Sequence, residues 1–138
     1  FFIESKGNKY DNAEDRTVRF RSMQRKTAAI VLLVIALAFV FGAFGIGKFT
    51  DPLLWIGWVP AWMDGLLGLP KTSWLKIIGL SEILLAVLLI IPVRKIQQTA
   101  VILMAIQLLG ILTITGWNDI AIRDIGLLLS CLSLLFLL

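Results

Sequence analysis

Five polar side chains stand where an otherwise apolar sequence makes them expensive: Lys48, Glu82, Gln107, Arg123 and Asp124. An ionisable group inside a membrane-spanning helix costs roughly 2.5–3.5 kcal/mol on insertion scales, so each is a candidate functional residue whose partner must be sought. Glu82 is the clearest case. It lies within a long uncharged run, with Gly79 three residues before it and Ala86 four after. That spacing puts the carboxylate on a stripe of small residues, the surface by which one helix approaches another. Ala38, Gly42 and Gly45 lead by the same spacing to Lys48, and Arg123 precedes Gly126, Ser130 and Ser133, with Asp124 beside it. Gln107 falls near the middle of its own run, one turn from Gly110. The formal charges of Lys48, Glu82, Arg123 and Asp124 sum to zero, and a mutually paired cluster is the economical expectation.

What such a cluster does is open between two readings. It locks helices together, because a buried pair is costly to break once formed. Alternatively it floors a polar pocket for a small molecule, such as a quinone head group or a sulfur species. Proton transfer through Glu82 is a third use of the same group. Other chemistry is excluded by composition. The chain has no histidine and one cysteine, Cys131, so haem held by paired imidazoles, a thiolate Fe–S cluster and a His- or Cys-built zinc site all lack ligands. No internal disulfide can form. Neither a serine nor a cysteine nucleophile has an imidazole to activate it. Cys131, among leucines, reads as a small apolar packing residue.

The elements that position these groups follow from hydropathy. Of 138 residues, 59% are apolar and 16% charged, against roughly 45–50% and about 25% in an ordinary soluble domain. Eleven of the 22 charges fall in residues 1–26. The expected fold is an all-α membrane protein, a bundle of four transmembrane helices in one domain (27–138), behind an exposed, basic polar cytoplasmic arm (1–26) expected to be helical near the bilayer. The spans are expected at about 27–47, 74–93, 99–117 and 119–138, each long enough for a hydrocarbon core of ~30 Å. In the last, only residues 125–138 are free of charge, so either Arg123 and Asp124 dip into the membrane or the chain continues past Leu138. Phe1 is not a residue before which methionine is normally trimmed, so the natural start is expected upstream. The first span lacks a small-residue cleavage site and reads as an anchor.

Residues 48–73 are an unusual connection. Asp51-Pro52 reads as a helix start with a carboxylate cap and proline at the first helical position. Trp55, Trp58 and Trp62 recur at three- and four-residue spacing, Pro60 interrupts, Gly65 and Gly68 loosen, and Pro70 ends the segment. It reads as two short interfacial helices or a re-entrant loop, with Thr72 or Ser73 capping the next span. With the N-terminus inside, nine Lys/Arg lie in the cytoplasm and four (Lys48, Lys71, Lys76, Arg123) outside, a positive-inside pattern. Both termini are then cytoplasmic, and the interfacial belt of Trp55, Trp58, Trp62, Trp74 and Trp117 lies wholly at the outer face. The arm's seven Lys/Arg answer to topology and anionic lipid, so no nucleic-acid partner is expected.

The residues FGAFGIGKFTDP (41–52), GLSEILLAVLLIIP (79–92) and NDIAIRDIGLLL (118–129) resemble the DoxX family of four-helix membrane proteins. The likeness covers about 28–138 and leaves the arm unexplained. It rests on G-x-x-K-F ending the first span, a glutamate in the second, and R-D heading the fourth. The resemblance implies an inner-membrane protein linked to thiosulfate:quinone oxidoreductase or to complexes handling thiol stress, with quinone as the implied cofactor. It maps the family's recurring polar positions onto Lys48, Glu82, Arg123 and Asp124. The leading expectation is a membrane subunit of a quinone- or sulfur/thiol-linked redox system. Alternatives are a non-catalytic scaffold or assembly subunit, with a protein partner or second copy, and, ranked last, a small transporter.

Overall fold

The computed structural model describes residues 7–138, with side chains from residue 12 onward. Residues 1–6 of the basic arm lie outside the described part. Every regular element among the described residues is helical: α1 (Gly7–Thr50), α2 (Pro52–Ile56), α3 (Lys71–Ile90), α4 (Arg94–Thr115) and α5 (Asp119–Leu137). Single 3-10 turns at Ala61–Met63 and Leu66–Gly68 complete the connection after α2. Four helices, all but α2, are long and apolar enough to cross a membrane, which makes this a multi-pass membrane protein in contact with lipid.

The element boundaries differ from expectation for identifiable reasons. α1 runs without a break from the polar arm into the first span, because no glycine or proline interrupts residues 8–41. The arm is therefore helical from Gly7, and no hinge separates it from the span. α3 starts at Lys71, three residues before the predicted 74, and neither Thr72 nor Ser73 caps it. The cap position is Pro70, and the Lys71 N–H donates to Asp64 Oδ1 at 3.0 Å across the loop. A carboxylate there also suits the positive end of the helix dipole. α3 ends at Ile90 and not 93, since a residue before proline is driven out of the α region and Ile91 is extended ahead of Pro92. α4 starts at Arg94, five residues ahead of 99. It stops at Thr115, where Gly116 takes a φ of 69° that a side chain would resist.

The Asp51 cap is also corrected. Its carboxylate makes no capping bond; its backbone N–H donates to Gly47 O at 2.9 Å and so finishes α1. Asp51 is a one-residue corner between two helices, and Pro52 supplies the start of α2. Asn118 does cap α5, accepting from Ala121 N. Where two short interfacial helices or a re-entrant loop were expected after Asp51, the chain forms one five-residue α-helix and two isolated turns.

α1 packs on α3, α3 on α4, α4 on α5, and α5 back on α1. Leu37, Phe41, Leu89, Met104 and Leu134 lie at the centre of the shared core, with Cys131 wholly buried among them. The tightest approach is between α1 and α3. A Cβ on Gly45 would lie 2.6 Å from Gly79 O, and one on Gly79 would lie 3.0 Å from Gly45 O. The two small-residue stripes meet backbone to backbone, and because the helices run antiparallel Lys48 lies one turn toward the connection and Glu82 one turn away from it; the lysine, its Cβ against Gly79, reaches along α3 to the carboxylate.

Candidate functional site

The close contact places Lys48 and Glu82 on facing helices with no room for water between them. Lys48 Nζ donates to Glu82 Oε2 at 2.6 Å, with both side chains buried. The other carboxylate oxygen accepts from Gln107 Nε2 of α4 at 3.5 Å, a long and weak bond. Glu82 thus links three helices.

α5 supplies the second pair. Arg123 Nε donates to Asp124 Oδ1 at 2.9 Å, and Nη2 is ion-paired with the same oxygen at 2.8 Å. Neighbours on a helix point about 100° apart, so the two cannot share a face. Asp124 takes the buried face with Ala121, Cys131 and Leu134. Arg123 folds over from the edge, its side chain 38% exposed. The stripe Arg123, Gly126, Ser130, Ser133 is accordingly not the buried face of this helix. Gly126 and Ser133 are exposed, and the two serine hydroxyls return to the carbonyls of Gly126 and Leu129.

Aromatic rings join the pairs. Trp55 of α2 lies 4.3 Å from Lys48 Nζ, and Phe44 lies 6.0 Å from the same atom and 4.3 Å from the Arg123 guanidinium carbon. The rings touch each other, with centroids 5.3 Å apart. A cation over a ring face gains roughly 0.5–1 kcal/mol when exposed and about 2 when desolvated. Trp55 is held in turn by Gly47, where a Cβ would meet its indole nitrogen at 3.1 Å. Phe44 has no place in a search for ionisable groups, yet its ring lies against both cations. Its signal in the sequence is its position one turn before Lys48.

These groups line one cavity. Lys48, Glu82, Arg123 and Asp124 form its polar side, Phe44, Ile78, Leu108, Ile111 and Leu127 its apolar walls, and Trp55, Trp58, Val59 and Pro60 its roof. The enclosed space is about 110 Å³, smaller than the roughly 300–1,000 Å³ usual for small-molecule sites, so the chamber as it stands takes a head group and its mouth must take the rest. Val59 is the one buried residue of the connection and plugs the roof. Of the predicted polar residues, Lys48, Glu82, Arg123 and Asp124 lie on the cavity. Gln107 stands behind Glu82 and also borders a shallow apolar groove between α3 and α4. Of the five tryptophans only Trp55 and Trp58 reach the cavity. Trp74 donates its indole N–H to Leu66 O, while Trp62 and Trp117 are exposed.

The arrangement offers ammonium and guanidinium donors at the bottom of an apolar chamber. It suits a molecule with a hydrogen-bond-accepting head and an apolar body. No group of three or more His, Cys, Asp or Glu side chains converges among the described residues. Comparison of the chain with protein-family models, with curated proteins and with solved structures gives no match.

Proposed function

We propose that this is a DoxX-like, four-helix membrane protein whose charged cavity holds the head group of a quinone, as the membrane subunit of a redox system whose electrons come from a partner protein. The observation that carries the reading is the cavity itself: two cations meet one apolar chamber against the same phenylalanine ring. A quinone carries carbonyl acceptors on an apolar ring and tail, which matches donors at one end of an apolar space. In the orientation set by the positive-inside bias, the cavity opens at the outer side of an inner or plasma membrane, with the Trp-rich connection lying in the interface above it.

The test uses the full chain in lipid nanodiscs, titrated with a short-tailed benzoquinone while tryptophan emission is followed. Trp55 and Trp58 form the roof, so occupancy quenches them saturably. Glu82→Gln and Arg123→Ala are expected to weaken binding tenfold or more, about 1.4 kcal/mol. Quenching that never saturates, or that is equal in wild type and both variants, overturns the proposal.

One observation favours a second reading, in which the cluster only locks the helices of a non-catalytic scaffold. Each cation already has its carboxylate at 2.6–2.8 Å. In that case the same titration shows no saturable site, while Lys48→Met paired with Glu82→Leu leaves the fold intact.

A further inference from the structure

At the end of the helices remote from the cavity, the cations behave differently. Arg21, Arg25 and Lys26 on α1 are exposed, as are Arg94 and Lys95 at the start of α4. Both groups flank the same end of the bundle, where Ile30, Leu33 and Val34 join the core, with the α1 cations standing further out than Arg94 and Lys95. Arg16 and Arg19 stand one to two turns further out on α1. Among the described residues the only ion pairs are Lys48–Glu82 and Arg123–Asp124, so none of these seven cations is paired with a described residue. Glu14 and Asp15 stand beside Arg16 and Arg19, but the sequence supplies no carboxylate near Arg21, Arg25, Lys26, Arg94 or Lys95. No Asp or Glu occurs between Asp15 and Asp51, between Glu82 and Asp119, or after Asp124.

We infer that this end is a binding collar for anionic phospholipid, with headgroup phosphates seated between α1 and the α3–α4 turn. Depth fits. At 1.5 Å per residue, Arg21 lies about 9 Å beyond Thr27, close to the thickness of one headgroup layer, roughly 5–8 Å by difference between the whole bilayer and its core. Arg16 and Arg19 stand about 16 and 12 Å beyond Thr27, within about one Debye length, ~8 Å, of that layer.

The azimuthal pattern selects lipid over an acidic protein. At 100° per residue, Arg19 and Lys26 point within about 60–80° of Arg16, whereas Arg21 and Arg25 point to the opposite side. A docked protein touches one side of a helix. A headgroup layer surrounds it, and so meets every one of these side chains. Phe20 and Met23, exposed among the arginines, add apolar contacts of the kind acyl–headgroup boundaries accept.

The test reconstitutes the full chain in vesicles of phosphatidylcholine with 20 mol% phosphatidylglycerol, extracts it with its lipid shell in a polymer disc, and weighs the two lipids by mass spectrometry. The shell is expected to hold at least twice the bulk proportion of phosphatidylglycerol at low salt and to fall to the bulk proportion at 0.5 M NaCl. Arg21→Gln, Arg25→Gln and Lys26→Gln together remove the enrichment, and the corresponding Arg→Lys changes at 21 and 25 keep it. The wild-type salt series needs no variant, so a variant that misinserts does not leave the question open. A shell equal to bulk at low salt, or an enrichment indifferent to salt, overturns the inference. So does an acidic protein that copurifies through this end while the shell stays at bulk composition.

Discussion

At one end of the helices Lys48 and Arg123 are held against carboxylates and aromatic rings, with Lys48 only 7% exposed. At the other end Arg21, Arg25, Lys26, Arg94 and Lys95 stand free of any ion pair among the described residues. The backbone around them differs in the same sense. Near the cavity α1 and α3 touch at Gly45 and Gly79, and the chain between them folds back as a roof. Near the arm α1 runs on alone. There Pro92 frees the last carbonyls of α3, and the Gln97 side chain satisfies one by donating to Leu89 O. The difference teaches that charge alone does not mark a site. A cation costs the fold something only where neighbours exclude water and headgroups, and only there must the sequence supply a carboxylate.

The sharpest way to break this comparison is to remove one buried partner. Glu82→Ala leaves the Lys48 ammonium buried and uncompensated, an expected loss of about 3–5 kcal/mol, read as a lower denaturant midpoint in SDS titration followed by circular dichroism. Lys48→Met with Glu82→Leu should recover most of that loss, because a packed apolar pair replaces the ion pair at little cost. If the double variant is no more stable than Glu82→Ala, then the pair carries stability that its charge does not explain. Next comes the contact that brings the pair together. Gly45→Val drives a side chain into the Gly79 carbonyl and the Ile83 side chain, and is expected to cost about 1–3 kcal/mol. It also separates Lys48 from Glu82, so quinone quenching falls with it. Gly57→Val, where a Cβ meets nothing within 4 Å, is the control.

Much of the cavity end was legible in the sequence, for physical reasons that can be named. Uncharged runs of some twenty residues mark helices in lipid, and the stripes Ala38-Gly42-Gly45 and Gly79-Glu82-Ala86 show which faces meet. Lys48 then falls over Gly79, and Glu82 one turn along the same face of α3 is within reach of the lysine side chain. What could not be read depended on groups far apart in the chain or on a choice between neighbours. Arg123 and Asp124 are adjacent, and periodicity alone does not say which turns inward. The Asp64 bond to Lys71 N crosses a loop whose shape depends on positive φ at Gly65, Leu67 and Gly68. The place of Trp55 over Lys48 depends on the corner at Asp51. How far α1 continues through the arm was hidden for another reason: charge density marks where lipid ends, and not where a helix does.

A smaller effect is expected at that loop. Asp64→Ala removes the acceptor for the first N–H of α3, at an expected cost of about 1 kcal/mol, as for loss of an N-terminal cap. Because the loop lies next to the roof, the variant should also raise the rate at which quinone enters and leaves, seen in stopped-flow quenching, with little change in affinity. An altered affinity with unaltered rates would mean that the loop belongs to the site and not to its entrance.

The smallest effect is expected from the exposed end, and it bears on the whole comparison. Arg16→Gln and Arg19→Gln together remove two cations that no described residue pairs with, on a stretch of α1 that buries nothing. Exposed charges of this kind contribute little to a fold. The denaturant midpoint and the quinone titration should therefore coincide with those of the wild-type chain. A clear loss of stability would show that the arm rests on a part of the protein that α1 does not touch in this structure, and the contrast between a paired end and a free end would no longer hold.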